Sequence, residues 1–132
     1  MTEKQIQNEI IRAVGTLPWL RVWRNHPGGA WRQGRFITFG IPGQADLTGI
    51  VPVTQVLACP HCGGELSTPP VGGRLEVEVK TPTGRQSTDQ KNFQKIIERF
   101  HGIYILARSP EDAMRVLEPY RGCFREDDGR DR

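Results

Sequence analysis

At 132 residues the chain has material for one ordinary domain around one core, so fold and function must share it. A content of 36% hydrophobic and 25% charged residues excludes wholesale disorder, and no apolar run reaches the length of a membrane span. The formal charge of +3, carried mostly by arginine, admits a polyanionic partner without requiring one.

The segment 1–15 is polar and lacks the basic stretch followed by an apolar run that marks a signal peptide, which leads to the expectation of a cytoplasmic protein. Three cysteines in such a chain point away from a disulfide framework and toward metal binding or plain thiols.

The first element is a helix. Thr2 with Gln5 forms a capping-box pattern, and Ile6, Ile10, Ala13 and Val14 follow at helical spacing up to Gly15. Pro18 stops it. Trp19 to Trp23 reads as a strand, His26 to Gly34 as a glycine-rich turn, and Arg35 to Phe39 as a hairpin return strand. The tight turn Gly40-Ile41-Pro42-Gly43 then leads into the apolar run Ala45 to Val53, which enters the sheet at Asp46. Residues 58–73, dense in Gly, Pro and Cys, read as an insert between two strands.

Arg74 to Lys80 alternates strictly, with Leu75, Val77 and Val79 on one face and Glu76, Glu78 and Lys80 on the other. Ser87 and Gln90 form a second capping box, opening a helix whose stripe is Phe93, Ile96, Ile97 and Phe100 and which stops at Gly102. Ile103 to Ala107 is a short apolar strand. Ser109, Pro110 and Asp112 open a last helix that Pro119 ends, and 121–132 form a charged tail. The order predicts a single α/β domain over 1–120, with a mixed central sheet flanked by helices.

The chemistry lies on the strand with charges on one face. A carboxylate two residues from a lysine on one side of a strand puts an oxygen ligand and an ammonium within a few ångströms, an apt arrangement for a hard cation beside a phosphate. Read alone, the same pattern also suits an edge strand with a solvated face. Asp46 supplies a second carboxylate at the start of an apolar strand, where a lone charge calls for a cation or hydrogen bonds, and a turn-capping role is its rival. Gln90 suits a helix cap and a site equally, and Glu9 suits a solvated helix face. Glu76 reads as structural. Arg24, Arg32 and Arg35 around the glycine-rich turn, with Arg85 and Lys91 near the second helix, are candidate phosphate contacts.

The ordered set Pro42-Gly43-x-x-Asp46, Glu78-Val79-Lys80 and Gln90 resembles the VRR-NUC branch of the PD-(D/E)XK nucleases, over nearly the whole chain from Glu9 to Ala107. The resemblance implies a restriction-endonuclease-like sandwich of α-β-β-β-α-β order. It also implies Mg²⁺- or Mn²⁺-dependent hydrolysis of DNA, with Asp46, Glu78 and the Val79 carbonyl as metal ligands, Lys80 as catalytic lysine, Gln90 lining the site, and Glu9 touching metal through water. For stand-alone members, often bacterial or phage-encoded, it further implies a homodimer acting on branched DNA such as four-way junctions. A nucleic-acid-binding module that keeps this fold without chemistry is the competing reading.

The insert departs from the compact pattern. Cys59-Pro60-His61-Cys62-Gly63-Gly64 has the form of a zinc knuckle, half of a tetrahedral site. Cys123, His26, His61, His101 or a second copy of the chain are the candidates to complete it.

Overall fold

A computed structural model describes residues 1–26 and 28–124; the charged tail expected over 121–132 therefore lies outside the described residues from 125 onward. Helix α1, Glu3–Gly15, begins at the capping box of Thr2 and Gln5, both halves of which form. Strands β1 (Arg21–Arg24), β4 (Leu47–Val53), β7 (Val71–Val79) and β8 (Ile103–Ala107) make a four-stranded sheet in the order β1-β4-β7-β8. Strands β2 (Gly28–Arg32) with β3 (Arg35–Phe39), and β5 (Val56–Ala58) with β6 (Glu65–Ser67), form two separate hairpins. Helices α2 (Thr88–Arg99) and α3 (Pro110–Leu117) follow β7 and β8, and a 3₁₀ turn spans Glu118–Cys123.

The sheet is mixed: β1/β4 and β4/β7 are antiparallel and β7/β8 parallel, the last pair joined through α2 as a β-α-β unit. Strand alternation sorts its two faces. Leu47, Val51, Leu75, Val77, Val79, Ile105 and Ala107 meet Ile6, Ile10 and Val14 of α1 and Ala113 and Leu117 of α3. On the opposite face Phe93 and Ile97 of α2 pack with Ala45 and Tyr104. The result is a sheet between helical layers, an α/β architecture. Among the described residues no helix is long and apolar enough to cross a membrane.

Several elements differ from the sequence expectation. The strand expected at Trp19 begins at Arg21, with Trp19 and Leu20 buried just before it. Nor does β3 return to that strand: β1 pairs with β4, while β3 pairs with Gly28–Arg32, the segment read as a turn. Glycines concealed β2, since they have low strand propensity and carry no alternation. At Gly29 the missing side chain matters, because a Cβ would lie 2.4 Å from the Phe36 ring across the hairpin.

The insert is smaller than residues 58–73. Val71, Gly72 and Gly73 already pair with Val53, Pro52 and Val51, so β7 begins inside it. A Cβ on Gly73 would lie 2.5 Å from Val53 Cγ2, which shows a valine filling the space a side chain would take. Helix α2 ends on His101 in the left-handed region (φ 64°) rather than on Gly102. The His101 and Gly102 amides donate to the Glu98 and Ile97 carbonyls at 3.0 and 2.8 Å, a Schellman closure. Arg121 and Cys123, assigned to the tail, belong to the ordered 3₁₀ turn.

Leu47 is fully buried at the centre of the first face, whereas Ile96 on α2 is 45% exposed. Leu47→Ala should cost about 3 kcal/mol of unfolding free energy and Ile96→Ala under about 1. Urea midpoints with unchanged slopes provide the check, and equal losses would contradict the assignment of the core.

Candidate active site

Glu76 and Glu78 project from β7 opposite the valines and leucine that meet α1 and α3, yet both are buried, as is Lys80 just beyond them. The solvated edge strand that such a pattern also permits is not what forms, because β7 lies between β4 and β8. Each buried charge therefore needs partners.

Glu76 finds structural ones. Its Oε1 accepts from Arg74 Nε at 2.7 Å and from Thr48 Oγ1 at 2.9 Å, across the β4/β7 pair.

Glu78 is met differently. Gln90 Nε2 donates to its Oε1 at 2.7 Å, Lys80 Nζ lies 3.5 Å from the same oxygen, and Oε2 is buried without a partner among the described residues. Burial, then the neighbouring Asp46 carboxylate, push its pKa up to about 8, against the opposing pull of Lys80.

Asp46 stands just before β4, where the chain enters the sheet. Pairing of the two strands ends at Leu47 with Val77, and beyond it the Asp46 side chain takes the ladder position: Val79 N–H donates to Oδ2 at 2.8 Å. The carbonyl of Val79 points to the same edge as its N–H, toward Asp46. Asp46 is thus more than a turn cap, and its own carbonyl accepts from the Asn25 amide at 2.9 Å on the other side.

The Pro-Gly-x-x-Asp spacing acquires a physical reason here. Gly43 has φ 78°, and a Cβ there would lie 2.1 Å from the Asp89 carbonyl oxygen and 2.5 Å from the Gln90 amide nitrogen. Only glycine lets this turn lie against the first turn of α2, which brings Asp46 and Gln90 together.

Gln90 serves both of its readings at once. Its Oε1 accepts from the Ser87 amide at 2.8 Å, closing the capping box, and its Nε2 is left to face Glu78. The backbone amide needs an acceptor, so the cap fixes the orientation of the side-chain amide and directs a donor at the carboxylate.

Lys80, just past the end of β7, lies 3.9 Å from Glu3 Oε1 in the first turn of α1 as well as near Glu78. The helix acid brought to this lysine is Glu3 and not Glu9, whose side chain makes no hydrogen bond or ion pair among the described residues. Glu3 resembled any solvated first-turn acid, and only the packing of α1 on β7 reveals it. Arg108 was likewise unmarked in the sequence. Its guanidinium donates to the carbonyls of Thr81 and Gly84 at 2.6 and 2.7 Å, fixing the loop after Lys80. Tyr104, its hydroxyl accepting from Gln86 Nε2 at 3.1 Å, has its pKa pushed up to about 12, chiefly by burial.

Asp46 and Gln90 open onto a cleft of about 640 Å³, walled by Gly28, Gly29 and Phe36 of the β2–β3 hairpin and by the Ile41–Gly43 turn. Of the candidate phosphate contacts, Arg32 and Arg35 sit at the tip of that hairpin, and Arg85 and Lys91 are exposed near the start of α2. Arg24 is held by the Asn8 side chain on α1. Trp31 and Phe36 pack at a tilt on the hairpin with ring centres 5.5 Å apart, and both are exposed. No protein-family model, curated protein or solved structure matches the chain.

Two outcomes follow. Gly43→Ala should destabilise the fold by about 2 kcal/mol or more through strain and collision with α2, whereas Gly28→Ala, with open space at its Cβ, should cost under about 1. Glu78 binds its proton more tightly folded than unfolded, so stability is fully present below about pH 4.5 and is lost as pH rises toward 8. Glu78→Gln should remove that slope and raise the melting temperature of the metal-free chain at pH 8.5; melting curves recorded from pH 5 to 8.5 provide the check, and an unchanged slope would contradict it.

Proposed function

We propose that the chain is a divalent-metal-dependent nuclease hydrolysing DNA phosphodiesters, with the restriction-endonuclease-like fold and VRR-NUC kinship that its motifs resemble. The observation that carries the reading is Glu78: a buried carboxyl with one orphaned oxygen, beside Asp46 and Lys80 and oriented by a dedicated amide. Glu76 also keeps a buried Oε2 without a partner among the described residues, but its other oxygen is paired with an arginine and a hydroxyl, whereas Glu78 has a second carboxylate beside it.

The donor set fits a hard cation. Asp46 and Glu78 would hold Mg²⁺ or Mn²⁺, with the Val79 carbonyl on the same edge and water and phosphate oxygens completing the shell. Such a cation, when bound, polarises the phosphoryl group and lowers the pKa of a coordinated water. Gln90 keeps Glu78 facing the site. Lys80, with an ammonium held between Glu3 and Glu78, positions a water or a phosphoryl oxygen and offsets the charge that develops on it. Water adds to phosphorus, the bond to the leaving ester oxygen breaks, and that oxygen takes up a proton, leaving a phosphomonoester and a hydroxyl end.

The cleft beside Asp46 suits a polyanionic strand. Arg32 and Arg35 at the hairpin tip and the exposed Arg85 and Lys91 near the start of α2 are candidate phosphate contacts beyond its walls, and the exposed Trp31 and Phe36 offer faces on which bases stack. Aromatic faces on a projecting hairpin favour a substrate with unpaired or splayed bases, in keeping with branched DNA.

The test is cleavage of labelled single-stranded, duplex, flap and four-way-junction DNA with Mg²⁺, Mn²⁺ or chelator. Cleavage should require metal, fall at least about 100-fold in Asp46→Asn and Lys80→Ala, and fall about 10-fold or more in Gln90→Ala, with circular dichroism unchanged. Metal-dependent cutting by both Asp46→Asn and Lys80→Ala at wild-type rates would overturn the site. DNA binding with no cleavage of any substrate would favour the silent module.

A further inference from the structure

The β5–β6 hairpin serves neither the sheet nor the cleft. It projects from the ends of β4 and β7, and its loop carries Cys59 and Cys62. The loop is closed by the Cys59 amide donating to the Gly64 carbonyl at 2.7 Å and the Gly63 amide to the Cys59 carbonyl at 2.8 Å. Gly63 has φ 71°, which turns the chain so that the Gly64 amide donates to Cys62 Sγ at 3.4 Å. An amide aimed at a cysteine sulfur is the kind of outer contact that supports a metal-bound thiolate.

Two thiolates are half of a tetrahedral shell. Among the described residues no third cysteine, histidine or acid joins them in a metal-holding group. Cys123, the remaining cysteine, is held by Thr54 Oγ1 at 3.2 Å at the base of the hairpin. The loop lies beyond the strand β5, roughly 10 Å farther out at about 3.3 Å per residue.

The surface around the hairpin is itself unfinished. Val56, Leu57 and Leu66 are exposed by half or more on a ribbon with only three residues in each strand, as is Val71 where β7 begins. Such a ribbon buries little on its own and is marginal without a second surface.

We propose that Cys59 and Cys62 of two copies of this chain together hold one Zn²⁺ in a tetrathiolate site, joining the copies hairpin to hairpin. A twofold axis through the metal makes one copy's half-site the complement of the other's. Metal binding displaces the thiol protons to solvent, four thiolates bind one cation, and no redox change occurs. Leu57 and Leu66, cross-strand partners on one face of the ribbon, are covered in the same contact.

The full chain, purified without chelator under reducing conditions and supplied with Zn²⁺, is measured for bound metal by elemental analysis and for mass by light scattering and native mass spectrometry. The expected result is one zinc per two chains in a dimer that a strong chelator converts to monomer and fresh Zn²⁺ restores. Cys59→Ser and Cys62→Ser should each lose the metal and the dimer while keeping the wild-type circular dichroism spectrum, and Cys123→Ser should keep both. Substitution by Co²⁺ should give tetrahedral thiolate absorption in the wild type alone among wild type, Cys59→Ser and Cys62→Ser. Absence of zinc, one zinc per monomer, or a dimer that persists in Cys59→Ser would each overturn the proposal. None of these outcomes bears on the Asp46–Glu78 site, whose test is cleavage.

Discussion

A carboxyl buried in a sheet interior sets the terms for the surrounding structure. Glu78 occupies a central strand, opposite the face that forms the main core, and it must be compensated or neutral. Gln90 donates from the first turn of α2, Lys80 approaches from two residues along the chain, and Asp46 closes the neighbouring ladder position. Three elements thus converge on one group. The approach of Gln90 to Asp46 depends on Gly43, where any side chain would collide with α2. The site is built by the fold rather than attached to it.

The two acids of β7 show how one strand face supports different ends. Glu76 and Glu78 are both buried, two residues apart, and both retain an oxygen without a protein partner. Glu76 has the Arg74 guanidinium and the Thr48 hydroxyl on its other oxygen, a neutralised pair. Glu78 has an amide, a more distant ammonium and a second carboxylate; burial, then that carboxylate, against the pull of Lys80, push its pKa up to about 8. Two carboxyls in mutual repulsion, in a site that opens to a cleft, form an arrangement that a cation relieves.

Much of the site was legible in the sequence because strand alternation is a strong signal. Charges at 76, 78 and 80 between valines and leucines indicate a single face, and the capping residues Ser87 and Gln90 mark where α2 begins. Local rules stop at the points where tertiary packing decides. The contact of Glu3 with Lys80 depends on how α1 crosses the sheet, and the bonds of Arg108 depend on a loop more than twenty residues away. The pairing of β1 with β4 instead of β3 was hidden by the glycines of β2, which carry no periodicity. For Gln90 the sequence posed a choice between cap and site, whereas an amide with a donor and an acceptor fills both roles.

The claim on which the rest turns is that Asp46 and Glu78 form a cation site, and direct binding of Mn²⁺ to the chain, followed by calorimetry and electron paramagnetic resonance at pH 8 without DNA, tests it. Saturable binding is expected, lost or weakened at least about 10-fold by either Asp46→Asn or Glu78→Gln and unaffected by Cys59→Ser. Failure to bind Mn²⁺, or binding that both carboxylate substitutions leave unchanged, would contradict it.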